Sequence, residues 1–201
     1  NLHLDLNPWT YNDGRADAVP ADEPTFDSLR DFSKETNAVS AVTGPHVQGV
    51  VALLDNRTED GGTVLVPGFH SRFDSWQSAL GTWQAYVETH DDVNRNRLVW
   101  RGKGAGSFKF GDLDGIHRLK RRVPMREGSM LIWDQRLVHG AAPNDSDRLR
   151  MAQFIKGFRR EGAGVERLRR RAARVRAELD KAGLTEEVSD LGRRVFGIDV
   201  E

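Results

Sequence analysis

The chain has 201 residues, one to one and a half ordinary domains, so a single core is expected. Its 30 basic and 30 acidic side chains cancel, which removes the global electrostatic argument for a nucleic-acid partner or a membrane surface. The absence of cysteine excludes a disulfide framework, thiolate zinc, iron–sulfur clusters and a cysteine nucleophile, so any metal must be held by His and carboxylate. No apolar run approaches the ~20 residues of a membrane span and no charged-then-apolar leader opens the chain. A soluble, cytoplasmic protein is expected, with organelle targeting left open. The first residue is Asn1 rather than Met and the chain enters at once into an alternating segment, so an N-terminal portion is expected to precede it.

Leu2, Leu4 and Leu6 alternate with His3 and Asp5, which predicts a strand with one apolar and one polar face, ended by Asn7 and Pro8. From Tyr11 to about Pro45 the composition turns polar around Gly14, Pro20 and Pro24, and reads as a long loop with a short helix over Phe26–Ser33. Gln48–Leu54 is rich in Val, Asp55–Gly62 is turn-like, and Thr63–Val66 is β-branched and stops at Pro67 and Gly68, which together predict a hairpin. Phe73, Trp76, Leu80, Trp83 and Val87 recur at spacings of three and four, so one or two helices within Ser71–Thr89 should pack an aromatic stripe on the core. Ser107–Phe110 and Ile116–Val123 are weaker strand candidates. Met130–Trp133, Leu137–His139 and Leu149–Phe158 complete a β-rich series between turns at Glu127-Gly128 and Pro143-Asn144. Beyond it Val165, Leu168, Ala172, Val175 and Leu179 form a stripe that predicts an amphipathic helix over 164–182 closed by Gly183, its other face rich in arginine and expected to be solvated. A core over 1–160 and a helical tail over 161–201, packed on or beside it, are expected.

Side chains two apart on a strand leave the same face, so His3 and Asp5 can converge on one ion. A third ligand must come from elsewhere, and His139 is the best candidate, because it ends an apolar strand and is followed by Gly140, Ala141, Ala142, Pro143 and Asn144, which leave room beside the imidazole. Two His and one carboxylate leave three octahedral positions open, the arrangement of non-heme Fe(II) oxygenases. Taken alone, the pair also fits an exposed polar strand face. Arg150, on the next predicted strand, offers a fork suited to bidentate capture of a carboxylate, with Arg148 in the same period-2 phase as the competing candidate.

The sequence resembles the phytanoyl-CoA dioxygenase family of Fe(II)/2-oxoglutarate oxygenases. The resemblance runs through HLDLNPW at 3–9, VVALLDNRTEDGGTVLVPGFH at 50–70, GSMLIWDQRLVHGAAPNDSDRLR at 128–150 and LTEEVSDLGRRVFGID at 184–199, in the family's order. It implies His3, Asp5 and His139 as iron ligands, Arg150 as the anchor of the 2-oxoglutarate distal carboxylate, and Fe(II), 2-oxoglutarate and dioxygen as the reacting set. The implied fold is mainly β with flanking helices, a double-stranded β-helix or cupin-like jelly-roll barrel, with a C-terminal α-helix and with the part before the His-x-Asp strand missing. Many family members carry a hydroxyl two positions after the distal His, where this chain has Ala141, so cosubstrate contacts are expected from Asn144, Ser146 or a residue outside the chain. Gln48, on a strand bordering the site, is either a cosubstrate or substrate contact or a structural side-chain bond, and Trp9 is either a wall of the substrate pocket or a buried aromatic beside a turn. His70 should end its strand structurally, Asp134 should order the turn before His139, and His46, His90 and His117 read as ordinary histidines.

The expected function is an oxidoreductase that hydroxylates an unactivated C–H of a small-molecule or acyl-CoA substrate, with release of succinate and carbon dioxide. Asp5 argues against a halogenase, which needs the carboxylate position vacated. The alternatives are a catalytically silent jelly-roll ligand-binding module, and a cupin-like metalloenzyme that does not use 2-oxoglutarate. No nucleic-acid partner and no membrane span are expected.

Overall fold

The computed structural model describes residues 2–6, 8–9, 47–91, 94, 107–157 and 165–199. The expected 11–45 loop, its short helix and His46 lie outside the described residues. Among the described residues, eight strands form two antiparallel sheets. One sheet is ordered β4 (Phe108–Lys109), β1 (Leu2–Leu4), β7 (His139–Ala142), β3 (Gly62–Leu65), β5 (Arg121–Arg122). The other is ordered β6 (Met130–Asp134), β2 (Val47–Ala52), β8 (Ala152–Gly157).

Alternation decides what each face of the five-stranded sheet does. Leu2, Leu4 and Leu6 are buried with Val64, Val66, Val138, Phe108 and Phe110 on one side, in a core that also takes Phe73, Trp76, Leu80, Trp83 and Tyr86. Burying each of those leucines is worth about 1.5–3 kcal/mol over leaving it in water. The opposite face of the same strands carries His3, His139, Ala141 and Thr63, turned toward the three-stranded sheet. A smaller apolar cluster of Val50, Trp133 and Leu137, with Leu65 and Leu131 against it, joins the two sheets.

The aromatic stripe over 73–87 forms two helices, α1 (Phe73–Leu80) and α2 (Trp83–Thr89). The break is local: Gly81 takes φ +67, a left-handed value closed to most side chains, and the Thr82 hydroxyl then accepts from the Ala85 N–H to start α2. The tail forms α3 (Val165–Ala182) and α4 (Asp190–Phe196). Ala172 and Val175 on the apolar stripe of α3 are buried, and Arg171 and Arg176 of its basic face donate to the carbonyls of Phe196 and Ile198.

Two local expectations are corrected. Val47–Ala52 and Gly62–Leu65 do not pair as a hairpin, because each enters a different sheet. The connection between them bridges to Met125 through Asn56 and turns through a 3-10 segment at Thr58–Asp60, so the chain crosses from one sheet to the other. Over 116–123 the expected strand is largely a 3-10 helix, Gly115–Leu119, started by the Asp114 carboxylate on the Ile116 N–H, with only Arg121–Arg122 extended and paired to β3.

Candidate metal centre

The register between β1 and β7 sets His3 directly opposite His139, and Asp5 follows two residues along the same face. The two imidazole rings lie 4.4 Å apart between centroids. His3 Nε2 is 3.5 Å from Asp5 Oδ1, and His139 Nε2 is 3.8 Å from Asp5 Oδ2. One donor atom from each of the three residues lies within 4.8 Å of the others, a spread a single ion can close by modest rotation of the side chains.

The histidine chemistry fits a metal. His139 is buried, and its Nδ1 donates to the Leu137 carbonyl at 2.9 Å, which leaves Nε2 as the ring nitrogen that faces Asp5. The Trp133 ring, 5.2 Å from that of His139, packs beside it. Asp5 is held at both ends. Gln135 donates to its backbone carbonyl at 2.9 Å, while Gln48 Nε2 donates to Oδ2 at 2.8 Å and the Lys156 ammonium stands 3.4 Å from the same oxygen. Burial alone would raise the Asp5 carboxyl pKa, but the His139 imidazole and the charges of Lys156 and His3 outweigh it and hold the group far below the usual carboxylate range. The group is therefore an anion, as a ligand must be.

These residues open on a cavity of about 340 Å³ between the sheets, whose wall includes Arg150, Thr63, Trp133, Phe154 and Lys156. Arg150 stacks toward the Phe154 ring at 5.9 Å, and its buried Nε has no hydrogen-bond partner among the described residues. Arg148 is engaged elsewhere, on Asp60 at 2.6 and 3.0 Å and on Glu59 at 3.1 Å. Between the two arginines, the structure places Arg150 in the cavity and ties Arg148 to the β2–β3 connection. Asp60 is fully buried, and with the Arg57 N–H, Ser146 and Arg148 on its oxygens its pKa is lowered to about 2 despite the opposing pull of burial.

Other expected contacts fall differently. Asn144 is exposed and spends its side chain within its own turn, donating to the Arg148 carbonyl at 2.7 Å and accepting from the Ser146 N–H at 2.9 Å, so it does not line the cavity. Trp9 packs edge-on against Trp83 and Tyr86 and donates to the Gly81 carbonyl, on the far side of the sheet from the cavity. Gln48 does line the cavity, and it also donates to Asp5. Asp134 orders the turn before His139 by taking the Arg136 N–H and guanidinium. His70 follows Pro67 and Gly68 in a 3-10 turn at the end of β3.

Lys156 and Thr63 escaped the sequence reading. Lys156 shares the period-2 phase of Arg150, Ala152 and Phe154, and that phase could have found it. Thr63 stands directly across from Ala141 in the β3–β7 register, so a hydroxyl of the neighbouring strand enters the wall where Ala141 brings none.

The family model described as phytanoyl-CoA dioxygenase (PhyH) matches residues 22–152, a stretch that contains His139 and Arg150 and begins after His3 and Asp5. A Dictyostelium discoideum protein named "Putative phytanoyl-CoA dioxygenase" is 28% identical over 183 residues, covering 90% of this chain and 47% of that protein. The chain thus spans about half the length of the curated relative it matches. Among solved structures, GlcNAc Inducible Gene 2 (DUF1479) from Candida albicans aligns with 98% of this chain and 52% of its own at a TM-score of 0.50 and 16% identity, a likeness of fold. The epimerase SnoN in complex with Fe3+, alpha ketoglutarate and nogalamycin RO aligns at a TM-score of 0.35 and 17% identity over 79% of this chain and 40% of its own. With well over half of its length matched by the family model, the chain belongs to the phytanoyl-CoA dioxygenase family.

Proposed function

We propose that the chain is the catalytic part of an Fe(II)- and 2-oxoglutarate-dependent dioxygenase, in which His3, Asp5 and His139 hold the iron and Arg150 holds the distal carboxylate of 2-oxoglutarate. The observation that carries this reading is the convergence of three ligand atoms within 4.8 Å at the wall of a cavity that also contains a guanidinium whose Nε has no partner among the described residues. Iron bound there would supply the reaction of 2-oxoglutarate with dioxygen, giving succinate, carbon dioxide and a hydroxylated C–H.

The chain's own residues supply position. The Leu137 carbonyl fixes the His139 tautomer, Gln135 and Gln48 fix the Asp5 backbone and carboxylate, and Arg150 offers a planar fork matched to a carboxylate. Trp133, Phe154 and Ile155 give the cavity apolar walls, which suit a small-molecule or acyl substrate whose target carbon is unactivated. The two sheets would be the walls of a double-stranded β-helix. No described helix is long and apolar enough to cross a membrane.

The test is release of succinate from 2-oxoglutarate by the full-length, iron-loaded protein under oxygen, with a panel of acyl-CoA and small-metabolite substrates. Turnover that requires Fe(II) and falls steeply in Asp5→Ala supports the reading, metal content being measured alongside. A protein that binds ligands in the cavity and never consumes 2-oxoglutarate is a binding module instead.

A further inference from the structure

We propose that Gln48 is a positioning residue for the metal site, reserving one oxygen of Asp5 so that the other is left for the ion. The inference rests on the function proposed above. It comes from the three-stranded sheet, which contributes no metal ligand of its own. Gln48 lies at the centre of that sheet, paired through its backbone with Trp133 of β6 on one side and Lys156 of β8 on the other. Backbone pairing on both sides gives the side chain a rigid base, and Gln48 is only 4% exposed. From there Nε2 reaches 2.8 Å from Asp5 Oδ2, across 43 residues of sequence and from one sheet to the other.

The orientation of the amide is set by chemistry. A carboxylate only accepts, so the amide must face it with NH2, and a flipped amide would set two oxygens against each other. The Gln48 carbonyl is left buried without a hydrogen-bond partner among the described residues. An amide placed for its own satisfaction would not leave its acceptor bare, so the contact with Asp5 decides how the side chain stands.

The consequence is a division of labour between the two oxygens of Asp5. Oδ2 carries the Gln48 hydrogen bond, with the Lys156 ammonium at 3.4 Å and His139 Nε2 at 3.8 Å, whereas Oδ1 faces His3 Nε2 at 3.5 Å. Single-oxygen ligation through Oδ1 keeps the carboxylate from closing over a second coordination position. Lys156 touches the same oxygen with the opposite consequence for a cation, since a positive charge beside the site repels an incoming metal. Outer contacts that orient a ligand are typically worth 10- to 100-fold in metal affinity.

The experiment titrates Co(II) into the full-length protein under anaerobic conditions and follows its visible d–d absorption, which reports coordination number and symmetry without turnover. Gln48→Met, near in size but without the donor, is expected to raise the Co(II) dissociation constant roughly 10- to 100-fold and to alter the spectrum as Oδ2 is released. Gln48→Asn keeps the amide but withdraws it by one methylene; the same direction is expected, and it serves if Gln48→Met does not fold. Lys156→Met is expected to bind Co(II) several-fold more tightly. Val50→Ala, on the same strand and buried in the cluster between the sheets, should lower the melting temperature and leave the Co(II) affinity and spectrum of the folded protein unchanged. If the wild type binds Co(II), Asp5→Ala abolishes binding, and the Gln48 variants match the wild type in affinity and spectrum, the positioning role is overturned while the proposed function stands. Equal weakening in the Gln48, Lys156 and Val50 variants would also overturn it, as a general loosening of the sheet. A wild type that takes up no Co(II) overturns the proposed function and this inference together.

Discussion

Arg148 and Arg150 stand two residues apart in the segment leading into β8, and the structure gives them opposite surroundings, so exchanging each in turn separates their roles. Arg150 faces the cavity with an Nε that has no partner among the described residues, whereas Arg148 is bound to Asp60 and Glu59. If Arg150 receives a carboxylate through two parallel N–H···O bonds, each charge-assisted bond is worth about 1.5–3 kcal/mol. Arg150→Met then costs about 3–6 kcal/mol, and at 1.4 kcal/mol per tenfold the dissociation constant of 2-oxoglutarate rises roughly 10²- to 10⁴-fold. Arg150→Lys keeps the charge but loses the fork and should fall between, at roughly 10- to 50-fold. Arg148→Met removes none of these contacts, so affinity should stay within about twofold of wild type while the melting temperature falls, because Asp60 loses its cation. The assay is calorimetric titration of 2-oxoglutarate into Mn(II)-loaded protein without oxygen, paired with thermal unfolding. Unchanged affinity in Arg150→Met together with lost affinity in Arg148→Met would refute the assignment.

Leu4→Ala should cost about 2–5 kcal/mol in urea unfolding, because Leu4 is fully buried between the two ligand residues and the aromatic core cannot collapse around the gap. Gly62→Ala should both destabilise the protein and weaken 2-oxoglutarate binding. Gly62 has φ +103, and a Cβ there would lie 2.3 Å from Asn56 Oδ1 and 3.1 Å from Arg150 Nε, so the Asn56 amide must shift and Arg150 must give by a few tenths of an ångström. Gly128→Ala, at φ +74 with nothing within 4 Å, should show only the backbone cost of about 1–2 kcal/mol and normal binding. Acid titration of the melting temperature tests Asp60. Its carboxyl pKa is about 2 folded against 3.8 for the free group, so its contribution is complete above about pH 4 and is lost as pH falls toward 2. Asp60→Asn should flatten the profile in that window, and an unaltered slope would count against the Asp60 network.

Features carried by a few consecutive residues were legible in the sequence. Three alternating leucines predict a strand that buries one face and presents His3 and Asp5 on the other, and β1 does so, because period-2 geometry allows nothing else once one face is apolar. The aromatic stripe predicts one or two helices, and the structure splits it at Gly81 and Thr82 through backbone freedom and capping, both local. Contacts between distant residues were not legible. Asp55–Gly62 looks like a hairpin turn in isolation, but β2 and β3 each gain more by completing a different sheet than by pairing with each other. Asn144 and Arg148 carry the same chemical groups as a cosubstrate site needs. Only the tertiary structure spends them on their own turn and on Asp60, 88 residues away from Arg148. The sequence by itself determined the residue types that can meet a metal and the faces they leave from. The tertiary structure decided the register that sets His3 opposite His139, the sheet crossing that brings Gln48 and Lys156 onto Asp5, and which arginine enters the cavity. Those depend on long-range pairing, where the free energy of a contact belongs to two elements at once and is written in neither alone.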